Sequence, residues 1–337
     1  MKSFLDKTVL VTGGCGFIGS SLVSQLILKG ARVIVVDNLS TGKKKNLPKN
    51  SDKVSFHKID IREIDEIRGL LKECQIIFHL ACLGVRQSIH SPRENNEVNA
   101  TATLDLLILS HEEKVERFIH ISTSEVYGNA FKVPMDESTP TFPHTIYGSS
   151  KLAGECHVRA FSRTYGLPAV ILRPFNSYGP GCHHEGDSGE VIPKFILRTL
   201  ANRPMLIFGN GLQTRDFTFV EDTALGIVMA GICDSALGQT INLGSGSEIT
   251  INDLASLVGS LTGKPNAEVN HLEPRPGDIL RLFSDSKSAE KLLGFKPKTN
   301  IRDGLLALID WYKSSSLTPE QHLESDLDLN WILETKR

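Results

Sequence analysis

The stretch Val11–Ser20, VTGGCGFIGS, decides how this chain is read: it packs four glycines into ten residues. An apolar run precedes it and another follows. Glycine weakens regular structure and is tolerated where the backbone turns sharply or must let another group approach. The spacing reads both as Gly14-x-Gly16-x-x-Gly19 and as Gly13-x-x-Gly16-x-x-Gly19. "TVLVTG" (8–13) reads as a buried strand, and 17–29 as a helix with Ile18, Leu22 and Leu26 on one face. "ARVIVVD" (31–37) is a second strand that ends on Asp37. A strand, a glycine turn, a helix and then an acidic residue closing the next strand is the dinucleotide-binding arrangement. The glycines let the backbone reach a pyrophosphate at a helix N-terminus, and the carboxylate takes ribose hydroxyls. Asp37 would repel a 2′-phosphate, which favours NAD over NADP.

The alternation continues outward from this unit. "KVSFHKID" (53–60) is a third strand, 63–73 a helix, "QIIFHLA" (75–81) a strand, 95–112 a helix, and "RFIHIS" (117–122) and "AVILRPFN" (169–176) two further strands. Strands alternating with helices pair in parallel through right-handed crossovers, which gives an α/β doubly wound sheet. After Tyr178 the pattern changes to a long polar loop, "YGPGCHHEGDSGE", and shorter, less regular units. A smaller α/β C-terminal lobe is expected, with the ligand cleft between the two. The expected division is 1–176, with 212–240 returning to it, against 177–211 and 241–337.

Composition narrows the function classes. The 337 residues are 40% apolar and 23% charged with a formal net charge of −2, so no global basic field points to nucleic acid or an acidic membrane. No apolar stretch reaches the length of a membrane span. The N-terminus runs straight into a strand without a secretory leader, and the six cysteines are scattered without metal-ligand spacing. A soluble, cytoplasmic protein with free thiols and no metal is expected. Lys43-Lys44-Lys45 reads as a solvated loop, with phosphate binding as the alternative, and His183-His184 as loop residues.

"TIYGSSK" places Tyr147 and Lys151 four apart, on one face of a helix over 146–160. A tyrosine is a poor base because its unperturbed pKa is about 10. A neighbouring ammonium and a positive nicotinamide ring would both lower it, so Tyr147 could take a proton from a sugar hydroxyl. "HISTSEVYG" ends a strand with Ser122, Thr123, Ser124 and Glu125, where such sheets line their ligand crevice. A hydroxyl there would bond the reacting oxygen beside Tyr147.

GGCGFIGS, DNLSTG, STSEVYG, YGSSK, LRPFNSYGP, QTRDFTFVEDTA and PRPGD occur in the order found in the extended short-chain dehydrogenase/reductases. Over roughly residues 7–312 the chain resembles the NAD-dependent epimerase/dehydratase family, typified by UDP-glucose 4-epimerase. The resemblance implies a Rossmann-like NAD domain and a nucleotide-sugar-binding lobe. It implies catalysis by Thr123, Tyr147 and Lys151, with Ser124 and Glu125 in support. It places the cofactor on Gly13, Gly16, Phe17, Ile18, Gly19, Asp37 and Asn38, with Ser40, Thr41 and Gly42 in the adjoining loop. Asp60 and Ile61 would meet adenine, Leu80 and Ala81 would line the cofactor, Asn96 would lie near it, and Phe175 beside the nicotinamide. Asn176, Arg215, Arg275 and Asp278 would grip the diphosphate and nucleoside; two arginine forks suit a diphosphate. Glu190 and Val191 would frame the nucleobase, and Leu282 would limit bulk at sugar C2. The family commonly forms homodimers through two helices, placed here at 95–112 and 146–162.

The implied reaction begins with oxidation at sugar C4 to a 4-keto sugar. An epimerase then returns hydride to either face. A 4,6-dehydratase removes water, and its relatives carry Asp-Glu after the catalytic threonine where this chain has Ser124-Glu125, so epimerisation is favoured. Decarboxylases of UDP-glucuronate share STSEVYG but bring basic residues to the sugar carboxylate, and no extra arginine stands out here. A non-catalytic NAD-binding sensor is the alternative from another class, since fold alone does not fix function.

Overall fold

The computed structural model of the protein describes residues 3–49, 51–186, 188–274 and 279–328. Six strands, β1 (Thr8–Thr12), β2 (Arg32–Val36), β3 (Val54–His57), β4 (Ile76–His79), β5 (Arg117–Ile121) and β6 (Ala169–Pro174), form one sheet with a seventh, Thr240–Leu243. The order is seventh–β6–β5–β4–β1–β2–β3, parallel throughout. Val11 stands opposite Val35 on one side and Phe78 on the other. These runs are apolar on both faces because both faces are covered, as parallel sheets require. One face packs Leu22, Leu26, Ile227 and Val228 from the helices Phe17–Leu28 and Val220–Ala230. The other packs Ile67, Leu106, Val158 and Phe161 from three helices, Ile64–Leu71, Ala102–Glu112 and Ile146–Tyr165. Strand order reverses between β1 and β4, and ligands of such sheets sit in the crevice outside that point.

A second core lies beyond the strand ends, where Phe195, Leu254, Leu305 and Leu308 join the helices Val191–Leu200, Ile251–Leu261 and Ile301–Lys313. The segment after 240 contributes to both layers. Ile241 and Leu243 sit in the sheet, and Ala289 and Leu293 pack onto it from the helix Lys287–Leu293.

The helix expected over 95–112 is broken. A short helix, Pro92–Asn96, passes through a π turn at Glu97–Thr101 before Ala102–Glu112 begins. The π turn holds buried Asn99, whose side chain receives a bond from Leu83 N (2.9 Å) and donates to Leu83 O (2.9 Å) and Ser150 Oγ (3.0 Å). Such bulges recur at functional sites.

Two histidines lie under the sheet's crevice end with no exposure. His79 meets Thr12 Oγ1 at 2.8 Å and Thr103 Oγ1 at 2.9 Å, and His120 lacks a side-chain partner among the described residues. Burial, reinforced by the charge of Lys151, pushes His79 down to about 3 and His120 also well below its usual range. Above pH ~6.5 both are neutral, folded or unfolded; below it only the unfolded chain takes up the protons. Stability should therefore fall on acidification by ~1.4 kcal/mol per pH unit per histidine. Urea unfolding at pH 7.5, 6, 5 and 4.5 checks this, and a flat profile would contradict it.

Candidate active site

One continuous cavity of about 900 Å³ runs across the crevice end of the sheet and into the second lobe. At its first end lies the glycine turn. Gly13 has φ +69°, and a Cβ there would stand 2.8 Å from Ala81 N; a Cβ on Gly19 would stand 2.1 Å from Gly13 O. Only glycine fits either position. Gly16 opens the helix Phe17–Leu28 without a side-chain cap, and Gly13, Gly16, Phe17, Ile18 and Gly19 all line the cavity. Asp37 is buried at the end of β2, its carboxylate accepting from Cys15 N (2.9 Å) and Leu39 N (2.8 Å). It lines the cavity beside Asn38, Ser40 and Thr41. Gly42 stands outside the lining, close against the Asp37 carboxylate, where a Cβ would lie 2.9 Å from Oδ2. Asp60 and Ile61 close this end. Arg62 bonds Asp60 through Nε (2.8 Å) and Nη2 (2.9 Å) and holds its carboxyl far below the usual range. Leu80 and Ala81 line the floor, their amides both donating to Thr12 Oγ1 at 3.1 Å.

The middle of the cavity carries the catalytic candidates. Past the end of β5, Thr123 caps a short 3-10 turn by accepting from Glu125 N at 3.2 Å, which turns Ser124 and Glu125 to the cavity as well. Thr145 caps the helix Ile146–Tyr165 by accepting from Gly148 N at 3.0 Å, setting Tyr147 in its first turn. Tyr147 lines the cavity, and Lys151, one turn on, lies behind it at 1% exposure. Lys151 Nζ has no hydrogen-bond partner among the described residues. From the protein's own groups, burial pushes Tyr147 well up; Cys82 and Glu125 add to the rise, and Thr123 opposes it. Burial likewise pushes the Lys151 amine down. The expectation was that the ammonium and a positive nicotinamide ring together lower the tyrosine; within the protein itself burial outweighs such help and weakens the charged forms of both Tyr147 and Lys151.

Asn96 is corrected too. It is exposed and away from the lining, whereas Asn95 and Asn99 are buried and bond Ser150, next to Lys151. Asn99 donates to Asn95 Oδ1 at 3.1 Å, so these two turn inward together while Asn96 is exposed.

At the far end, Phe175, Asn176, Glu190, Val191 and Arg215 line the cavity. Arg215 Nη1 donates to Thr214 O (2.8 Å) and Ile279 O (2.6 Å), which fixes its fork. The neighbouring Asp216 is fully buried and accepts from Ser245 N (2.8 Å) and Ser284 N (3.1 Å), tying three loops together. Arg275 and Asp278 lie outside the described residues. Leu282 is wholly buried beside Tyr127, Met135 and Phe175 and does not line the cavity, so it supports Phe175 rather than measuring the sugar.

Burial raises the Glu190 carboxyl to about 8, and Arg86 acts against that rise. Arg86, Cys82 and Gln87 were missed in the sequence, yet all three line the cavity. The signal was their place directly after β4, since residues beyond strand C-termini line such crevices. Lys194 and Arg198 also line it, so the far end is more basic than the motifs suggested. Lys43, in the short lysine run, pairs with Glu185.

A profile of the family described as GDP-mannose 4,6-dehydratase matches residues 10–307. The chain is 35% identical to a UDP-glucose 4-epimerase of Mycolicibacterium smegmatis, over 91% of this chain and 99% of that one. It is 33% identical to a dTDP-D-glucose 4,6-dehydratase of Homo sapiens, over 92% and 91% respectively. Among solved structures, an epimerase of Methanothermobacter thermautotrophicus superposes with TM-score 0.88 at 36% identity, covering 92% of this chain and 93% of that one. A UDP-glucose 4-epimerase of Thermus thermophilus solved with NAD gives 0.84 at 31%, covering 91% and 99%. NAD is accordingly the expected cofactor. The cradle that only glycine permits, the ribose-side carboxylate of Asp37 and the unpartnered Lys151 Nζ fit it. The chain therefore belongs to the family of NAD-dependent nucleotide-sugar epimerases and dehydratases with the extended short-chain dehydrogenase/reductase fold.

Proposed function

We propose that the chain is an NAD-dependent nucleotide-sugar 4-epimerase. The observation that carries this reading is that Thr123 and Tyr147 share one cavity with the glycine cradle and Asp37 at one end and Asn176 and Arg215 at the other. NAD would rest on Gly13, Gly16, Gly19 and Asp37, with Lys151 Nζ reaching its sugar, and supplies a hydride acceptor and donor when bound. Tyr147 Oη takes the proton of the sugar's C4 hydroxyl, and Thr123 bonds the same oxygen and holds it in line. Lys151 steadies the phenolate by its charge. Asn176 and Arg215 would hold the diphosphate while the 4-keto sugar turns its other face, and Tyr147 then returns the proton.

The dehydratase reading has its own support in Glu125, a carboxylate lining the cavity and close enough to Tyr147 to raise its pKa. A carboxylate there would be the base that removes a proton from the carbon next to a 4-keto group. Incubation with UDP-, GDP-, CDP- and dTDP-sugars followed by NMR of the products separates the two. An isomer of unchanged mass is expected. A 4-keto-6-deoxy product would establish dehydration instead, release of carbon dioxide would establish decarboxylation, and no product from any sugar would sink the enzymatic reading. If the chain is an epimerase, Glu125→Gln should change kcat by no more than ~10-fold, against the ~10²–10⁴-fold loss expected for a required base.

A further inference from the structure

The family match ends at residue 307, yet the chain beyond it comes back to the cavity. Thr318 caps the short helix Pro319–His322 through a reciprocal pair with Gln321, and Leu323 enters the second core. From there the chain runs beside the Cys182–Glu190 loop, with Gly186 N donating to Ser325 O at 3.0 Å. Asp326, nearly fully buried, lies 2.8 Å from Lys194 Nζ and 2.6 Å from Arg198 Nη1. Asp328 lies 2.9 Å from Arg198 Nη1 and itself lines the cavity, and Lys194 also donates to Leu327 O at 2.6 Å. The loop is held from a second direction as well. His184 Nε2 meets His322 Nδ1 at 3.1 Å, its other nitrogen lies 3.3 Å from Tyr312 Oη, and Glu185 pairs with Lys43 beside the cofactor-side loop.

We infer that the segment Thr318–Asp328 is a substrate-positioning wall. It pins the Cys182–Glu190 loop, and with it the cavity-lining Glu190, and it cancels the charges of Lys194 and Arg198. Two cations on adjacent turns of one helix would otherwise offer a second anion site at the far end of the cavity. With both neutralised, that end accepts an uncharged portion of the ligand, as a nucleobase is, and leaves the diphosphate to Arg215. This assignment of ligand groups rests on the nucleotide-sugar reading; the pinning does not. Asp326 acts through Lys194, Arg198 and the loop, so it is a positioning residue.

Two variants test it: Asp326→Asn combined with Asp328→Asn in the full chain, and a chain ending at Leu317. Amide hydrogen exchange is followed over 182–190, and KM and kcat are measured with whichever nucleotide sugar the product screen identifies. Exchange in the loop should quicken and KM rise, each by about tenfold, while kcat stays within about threefold and NAD remains bound. Inorganic tripolyphosphate should inhibit the double variant at least about tenfold more strongly than the parent, because Lys194 and Arg198 are then exposed to it. Unchanged exchange overturns the pinning. A fall in kcat at constant KM, or unchanged KM and tripolyphosphate inhibition, overturns the specificity role. Should the wild-type chain turn over no nucleotide sugar, the functional reading fails by itself, while exchange and tripolyphosphate binding by calorimetry still decide the wall.

Discussion

Tyr147→Phe is expected to lower turnover by roughly 10²–10⁴-fold while NAD binding and the unfolding midpoint stay at their parent values. The substitution removes one oxygen from a ring that lines the cavity beside Thr123 and leaves the Thr145 cap and the buried Asn99–Ser150 bond untouched. Its size follows from what the oxygen must do. Burial, Cys82 and Glu125 hold the hydroxyl in its protonated form, so ionisation depends on positive charge nearby, that of Lys151 and of an oxidised nicotinamide when bound. A phenylalanine can accept no proton from a carbinol and donate none to a ketone, so the exchange loses both directions of the reaction. The raised tyrosine also gives a sign to the pH profile. The phenolate fraction grows as pH rises, so kcat should climb through the alkaline range in the parent and be flat in the variant. Steady-state rates from pH 6 to 10 and calorimetric titration with NAD provide the measurements. Full activity in the phenylalanine variant would remove Tyr147 from the chemistry.

Which parts of this site were legible in the sequence follows from the range of the interactions that build them. The glycine turn, Asp37, Thr123 and the Tyr147–Lys151 pair are local patterns. Each is fixed by a strand end, a helix turn or a backbone close approach within a few residues. Gly13, Gly16, Gly19, Asp37, Thr123 and Tyr147 come to line one cavity, with Lys151 buried one helix turn from Tyr147. The resemblance alone places Asn96 near the cofactor, and which of two neighbouring asparagines turns inward is decided by packing: Asn95 is buried and Asn96 exposed. Leu282 is likewise placed by the resemblance, and its burial beside Phe175 is a tertiary fact that no local pattern carries. The opposed shifts of Tyr147 and Lys151 come from desolvation, which depends on everything packed around them. The C-terminal wall was invisible for the same reason in a stronger form: His184 and His322 meet across 138 residues of chain.

Glu155→Ala should cost about 3–5 kcal/mol of stability, because it strips the partner from a buried charge. Glu155 has no exposure and Arg173, on β6, only 2%. The carboxylate receives Arg173 Nε at 2.8 Å and Nη2 at 2.6 Å, with Ser122 Oγ at 2.6 Å on the same oxygen as Nε. Burial alone would raise the Glu155 pKa, yet the bonds from Arg173, Ser122 and Arg159 hold it below the ordinary range. Its contribution is therefore present above the usual carboxylate pKa and is lost as pH falls through the lowered one. The guanidinium lies 4.6 Å over the Tyr127 ring, and Tyr127 Oη donates to Asn242 Oδ1 at 2.7 Å, so the damage would spread to the sheet edge. Replacing both charges by apolar groups of similar volume, Glu155→Leu with Arg173→Met, should restore the stability to within ~2 kcal/mol of the parent, since neither charge is then left buried alone. Urea unfolding of the parent, the single and the double variant measures the difference directly. A loss below ~1 kcal/mol in the single variant would mean that water or a rotated side chain reaches Arg173. Activity gives a second reading of the same network. Glu155 favours the ammonium form of Lys151 one turn away, opposing the burial that depresses it. The stable double variant should therefore need a more acidic medium to keep Lys151 charged, and the alkaline rise of its kcat should end at a lower pH than the parent's.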